Sequence, residues 1–146
     1  MISFPDISPE IFSFNLLGLE LALRWYALAY IVGFVIAGIL MKFLLKRKAL
    51  WKFTTPPMDS PQVDAVLTFL ILGVILGGRL GYVLFYNFEF YLENPINILR
   101  LWDGGMSFHG GFIGVVFAVV FYSRSEGIPL LSMSDLIAVC SPPGLF

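Results

Sequence analysis

Apolar residues gather into long blocks along the chain, and the charged residues fall between them. Residues 25–41 carry no charge at all. With Phe43, Leu44 and Leu45 this block reaches the roughly 20 residues that a helix needs to cross about 30 Å of hydrocarbon. A second block fills 65–88 with Arg79 as its interior charge, and a third fills 104–122 with no full charge and with His109 near its start. A fourth begins near Leu130, contains Asp135, and is still apolar at Pro142, Pro143, Gly144, Leu145 and Phe146. The pattern predicts an all-α polytopic membrane protein, a helical bundle with spans at about 25–45, 64–87 and 106–123 and the start of a fourth at 131–146, incomplete. A chain that halts inside an apolar stretch is expected to be the amino-terminal part of a longer protein.

The first 23 residues are too polar to span. Phe12, Phe14 and Leu16, then Leu19, Leu21 and Leu23, alternate with Ser13, Asn15, Glu20 and Ala22, a period of two that predicts short strands on the outer surface. The chain therefore divides into an outward-facing amino-terminal segment, 1–23, and a transmembrane helical domain, 24–146. Residues 54–61 read as a turn, with Ser60 and Pro61 setting the start of span 2.

Composition sharpens this picture. Of the 146 residues, 58% are hydrophobic and 13% charged, against about 45–50% and about 25% in soluble domains. There is too little charge to coat a water-facing surface, and bilayer is the better solvent. A formal net charge of -1, with no basic arm among aromatics, removes the electrostatic basis of nucleic-acid binding. Cys140 is the lone cysteine, so the chain has no internal disulfide and no cysteine cluster for a metal, and no cofactor is expected.

Lys42, Lys46, Arg47, Lys48 and Lys52 lie between spans 1 and 2, whereas Arg24 precedes span 1 and Arg100 stands in the 87–103 loop. By the distribution of Lys and Arg in short loops, the first loop faces the cytoplasm and the amino terminus and the 87–103 loop face outside. Residues 1–9 hold no basic residue, which excludes a cleaved signal peptide.

Gly73, Gly77 and Gly81 recur at four-residue intervals in span 2, a small-residue seam that lets another helix approach closely, and Gly110 and Gly114 supply a matching surface on span 3. Arg79 stands about 200° around the helix from Gly77, on the face of Tyr82 and Tyr86. A charge so placed is costly and needs a partner. The choices are an ion pair with Asp135 or Asp103, snorkelling to the outer interface, or a bidentate hold on a lipid-headgroup phosphate.

Trp102, Asp103, Gly104, Gly105, Met106, Ser107, Phe108, His109, Gly110 and Gly111 form the most unusual stretch, immediately before and within span 3. Its glycines allow close approach of the backbone, Asp103 or Ser107 serves as a helix cap, and the first free N–H groups offer an anion site. His109 is either a structural, hydrogen-bonded histidine or a base, the side chain suited to moving a proton near neutral pH. Tyr26 and Tyr30 belong to an interfacial aromatic belt with Trp25 or line a site. Asp135 is a helix cap after Ser134 or the partner of a buried cation.

These residues together resemble the bacterial prolipoprotein diacylglyceryl transferases. The resemblance rests on Arg24 to Leu28 in the order Arg-Trp-Tyr-Ala-Leu, on Gly77, Gly78, Arg79, Leu80, Gly81, Tyr82 and Val83, on Phe85, Tyr86 and Asn87, on the stretch around His109, and on Ser134 with Asp135. It implies a seven-span inner-membrane enzyme that moves a diacylglyceryl group from phosphatidylglycerol to the lipobox cysteine thiol in a prolipoprotein signal peptide, releasing glycerol phosphate. His109 then matches the family's essential histidine and Tyr26 its essential tyrosine. Arg79, Asp103 and Gly110 match recurrent positions, and with Gly104 and Ser107 they are the expected substrate contacts. The family's signature block, with its main phosphate clamp, is expected beyond Phe146, so residues 1–146 alone are expected to be inactive. The alternative from another class is a transport or channel subunit in which Arg79, His109 and Asp135 line an ion path.

Overall fold

The computed structural model describes residues 10–16, 19–47, 49–51, 55–101 and 104–141, with side chains described from residue 28 onward. Two short strands, β1 (Glu10–Leu16) and β2 (Leu19–Arg24), pair antiparallel. Their register sets Phe12 opposite Leu23, Phe14 opposite Leu21 and Leu16 opposite Leu19, so the alternating apolar positions are in register along the two strands. β2 runs directly into α1 (Trp25–Lys46). The other long helices are α2 (Ser60–Tyr86) and α4 (Phe108–Glu126), and a shorter α5 (Leu130–Cys140) follows. All three long helices have the length and apolarity to cross a membrane.

The ends of these helices lie where local chemistry places them. α2 begins at Ser60, four residues before the expected 64, because Asp59 accepts the amide of Gln62 while the Gln62 side chain accepts the Asp59 amide, each at 2.9 Å, and Pro61 suits the first turn. α4 begins at Phe108 and not at 106, capped by Ser107, and runs past the expected 123 to Glu126, where Gly127 closes it at φ 65. The α2 to α4 connection, read as a plain loop, contains α3 (Phe88–Glu93) and a 3-10 segment (Pro95–Leu99). Asp135 is not a cap: α5 starts at Leu130, and the side chain stands exposed on its second turn. The part of the expected fourth span after residue 141 lies outside the described residues.

α2 and α4 form the closest pair. A Cβ on Gly73 would come within 2.6 Å of the Gly114 carbonyl oxygen, and one on Gly81 within 2.6 Å of the Gly110 Cα, so the two main chains touch where a side chain would hold them apart. Toward the end where α1 joins α2, Met41, Leu45, Val63, Val66, Tyr122, Met133, Leu136 and Cys140 pack into the buried apolar cluster. The Tyr122 hydroxyl donates to the Gln62 carbonyl at 3.2 Å, and Lys42 pairs with Asp64 at the same end. Elsewhere Ile39, Leu76, Phe117 and Phe121 stand exposed, as a chain solvated by lipid permits.

Candidate functional site

The end of the bundle opposite that cluster holds the chemistry. Here residues 78–82 of α2 and the irregular stretch 104–107 lie against each other. The Ser107 amide donates to the Gly78 carbonyl at 2.9 Å. Gly105, at φ 78, rests on the Tyr82 ring, which a Cβ there would meet at 2.5 Å. From this anchored stretch α4 sets off. The Ser107 hydroxyl accepts the Gly110 amide at 3.2 Å, and its carbonyl accepts the Gly111 amide at 2.9 Å.

Arg79 is 4% exposed and sits at the centre. Its Nε donates to the Ile98 carbonyl at 2.8 Å, one terminal nitrogen to Gly104 and Gly105, and the other to Asn97 at 2.6 Å and Arg100 at 2.9 Å. A guanidinium has five N–H groups, and here each meets a main-chain carbonyl. Tyr91 of α3 faces the same guanidinium, its ring centre 5.3 Å away. Carbonyl dipoles thus offset the buried charge.

This arrangement bears on the three expectations for Arg79. It does not snorkel, because it is buried. Among the described residues it has no carboxylate partner, Asp135 being exposed on α5 and in no ion pair. As for phosphate, every guanidinium N–H already has a main-chain acceptor. Asp103, the other proposed partner, lies outside the described residues, as does the Tyr26 side chain.

Beside Arg79 opens a cavity of about 340 Å³ lined by Tyr82, Asn87, Tyr91, Asn97 and Arg100 among others. Tyr82 stacks on Tyr86, ring centres 5.5 Å apart. His109 does not line this cavity. It is exposed on the first turn of α4, edge-on to the Phe108 ring at 5.7 Å, beside the amides that helix geometry leaves outside the ladder. Arg79 and His109 therefore share one end of the bundle without sharing a pocket, and Asp135 joins neither, so the three residues of the transport alternative are not gathered along one path.

Ser107 and Gly110, both expected substrate contacts, have partners within the chain. Ser107 is 4% exposed with its hydroxyl on the helix start, and Gly110 is buried in the seam. Gly104 turns its carbonyl to Arg79. Sequence reasoning missed Asn97, Ile98, Arg100 and Gly105 as partners of Arg79, since any residue can offer a carbonyl. Asn94 before Pro95 was the available sign that the connection folds back.

Residues 13–146 match the prolipoprotein diacylglyceryl transferase family model. The chain is 56% identical over 145 residues to a phosphatidylglycerol–prolipoprotein diacylglyceryl transferase of Ruegeria pomeroyi, covering 99% of this chain and 49% of that protein. A like-named protein of Cereibacter sphaeroides is 54% identical with 99% and 71% covered, and one of Brucella anthropi 46% identical with 99% and 50% covered. The chain thus spans about half the length of most of these relatives. With the family pattern running through the helices, the glycine seam and the stretch around His109 alike, the chain belongs to the prolipoprotein diacylglyceryl transferase family.

Proposed function

We propose that this chain supplies the amino-terminal part of an enzyme that transfers a diacylglyceryl group from phosphatidylglycerol to the lipobox cysteine thiol of a prolipoprotein signal peptide. The observation that carries the reading is the family match along residues 13–146. In the reaction the thiol gives up its proton, and the sulfur attacks the glycerol carbon that bears the phosphate. The carbon–oxygen bond breaks, and glycerol phosphate leaves with the electron pair. A base for the thiol and positive charge for the departing phosphate are what such a step needs.

His109 is assigned as that base or as the group that polarises the headgroup, and its exposure at the start of α4 supports access by substrate. Tyr26 is assigned a catalytic part with it, and Asp103 a substrate contact. The α4 amino terminus contributes positive dipole to the phosphate, with the main clamp assigned to chain beyond residue 146. The setting is the bacterial inner membrane, multi-pass, with the amino terminus and the 87–103 loop outside, where exported prolipoproteins arrive.

In the full-length protein, His109→Gln is expected to nearly abolish transfer of labelled diacylglyceryl to a lipobox peptide while leaving protein level unchanged, because Gln hydrogen-bonds without taking the proton. Substantial turnover by that variant returns His109 to a structural role.

A further inference from the structure

The carbonyl cage around Arg79 points to a task that differs from binding substrate. We propose that Arg79 is a positioning residue for the transfer reaction: by gathering the carbonyls of residues 97, 98, 100, 104 and 105 on one guanidinium, it fixes the start of α4 and so the place where His109 presents its ring. The inference rests on the transferase reading given above.

Three observations carry it. First, the guanidinium is fully engaged. A phosphate would have to displace at least two carbonyls from a residue that is 4% exposed, leaving those carbonyls unpaired in a buried place. Second, the link from Arg79 to His109 is short and tied at each step. Gly104 and Gly105 are held by the side chain of Arg79, and the Ser107 amide by the carbonyl of its neighbour Gly78. Ser107 then caps the turn that contains His109. A shift at Gly105 passes through this short link toward the imidazole. Third, the cage joins three separate pieces of chain. The 3-10 segment with Arg100 just after it and the 104–105 turn present accepting carbonyls, and Tyr91 of α3 packs over the guanidinium. Lysine does not reproduce this, having three donors on a point charge where a planar fork of five is required.

The test uses the full-length protein with Arg79→Lys and, from the other side of the same contact, Gly105→Ala, whose φ of 78 and closeness to Tyr82 make the added methyl displace the turn. Both variants are expected to lower kcat by about 10- to 100-fold, the scale of an ångström-sized misplacement of a catalytic group. KM for phosphatidylglycerol stays within about twofold of wild type, since binding and transition-state losses separate in this way. In lipid-free detergent, amide hydrogen exchange over residues 97–107 is expected to quicken in both, while that of 112–122 stays as in wild type.

A raised KM with kcat retained makes Arg79 a headgroup ligand and overturns the proposal. Unchanged exchange over 97–107, or a Gly105→Ala protein that behaves as wild type, overturns it too. If Arg79→Lys does not accumulate, Gly105→Ala decides; if neither accumulates, the cage is a folding element and the positioning role falls. Absence of transfer by the wild-type protein sinks the transferase reading instead, and the exchange measurement, which needs no substrate, still reports whether Arg79 holds the turn.

Discussion

Ser107 shows how much a single hydroxyl settles here. It stands at the only junction where the 104–107 stretch becomes a helix among the described residues, and its oxygen takes the Gly110 amide that the helix leaves unpaired. Ser107→Ala is expected to cost about 1 kcal/mol of stability, the usual loss for an N-cap serine. A lowered thermal midpoint in detergent, with KM for phosphatidylglycerol unchanged, is the expected result. An unchanged midpoint with a raised KM hands the hydroxyl to substrate. The cap was legible in the sequence as one of two choices, Asp103 or Ser107, because it depends on a local rule, a capping side chain directly before an apolar helical run. The partners of Arg79 were not legible, because Asn97, Ile98, Arg100, Gly104 and Gly105 contribute main-chain oxygen, which every residue has and no side-chain pattern marks.

Between elements, the seam of α2 and α4 makes a sharper forecast than its glycines alone. Gly111 and Gly114 lie on the same helix, yet a Cβ at Gly111 has its nearest neighbour at 3.6 Å, an ordinary contact, whereas one at Gly114 drives into the Gly73 carbonyl. Gly114→Ala is expected to destabilise the protein by about 1–3 kcal/mol, as overpacking does. Gly111→Ala is expected to be neutral or to stabilise by up to about 1 kcal/mol through helix propensity. Thermal unfolding of the two variants side by side checks this, and equal losses would remove close approach as the reason for the seam. The pairing of Gly73, Gly77 and Gly81 with Gly110 and Gly114 was readable from four-residue spacing. The presence of α3 and the 3-10 segment was not, because pieces of six and five residues are too short to establish a period.

For the molecule as a whole, the asymmetry of basic residues is the basis for the orientation proposed above, and it can be tested directly. With Cys140→Ser as background, a cysteine at Asn94 is expected to react with an impermeant thiol reagent from outside the cell and one at Arg47 is not. The reverse pattern would put His109 on the side away from exported prolipoproteins. The long helices were visible as uninterrupted apolar blocks, and what the blocks could not disclose was how differently the two ends are built. One end is packed through side chains, Met41 and Met133 among them. The other is held through main chain at the glycines and at the carbonyls on Arg79. That difference has a mechanical meaning. Neighbouring helices slide past one another by letting interface side chains shift slightly within their rotamers, and thioether chains are especially yielding. Where glycine meets glycine there is nothing to rotate, and a small slip sets carbonyl against Cα. α2 and α4 are therefore a stiff rail, and the give in this bundle falls to α1 and α5, whose contacts are made by side chains that can bend.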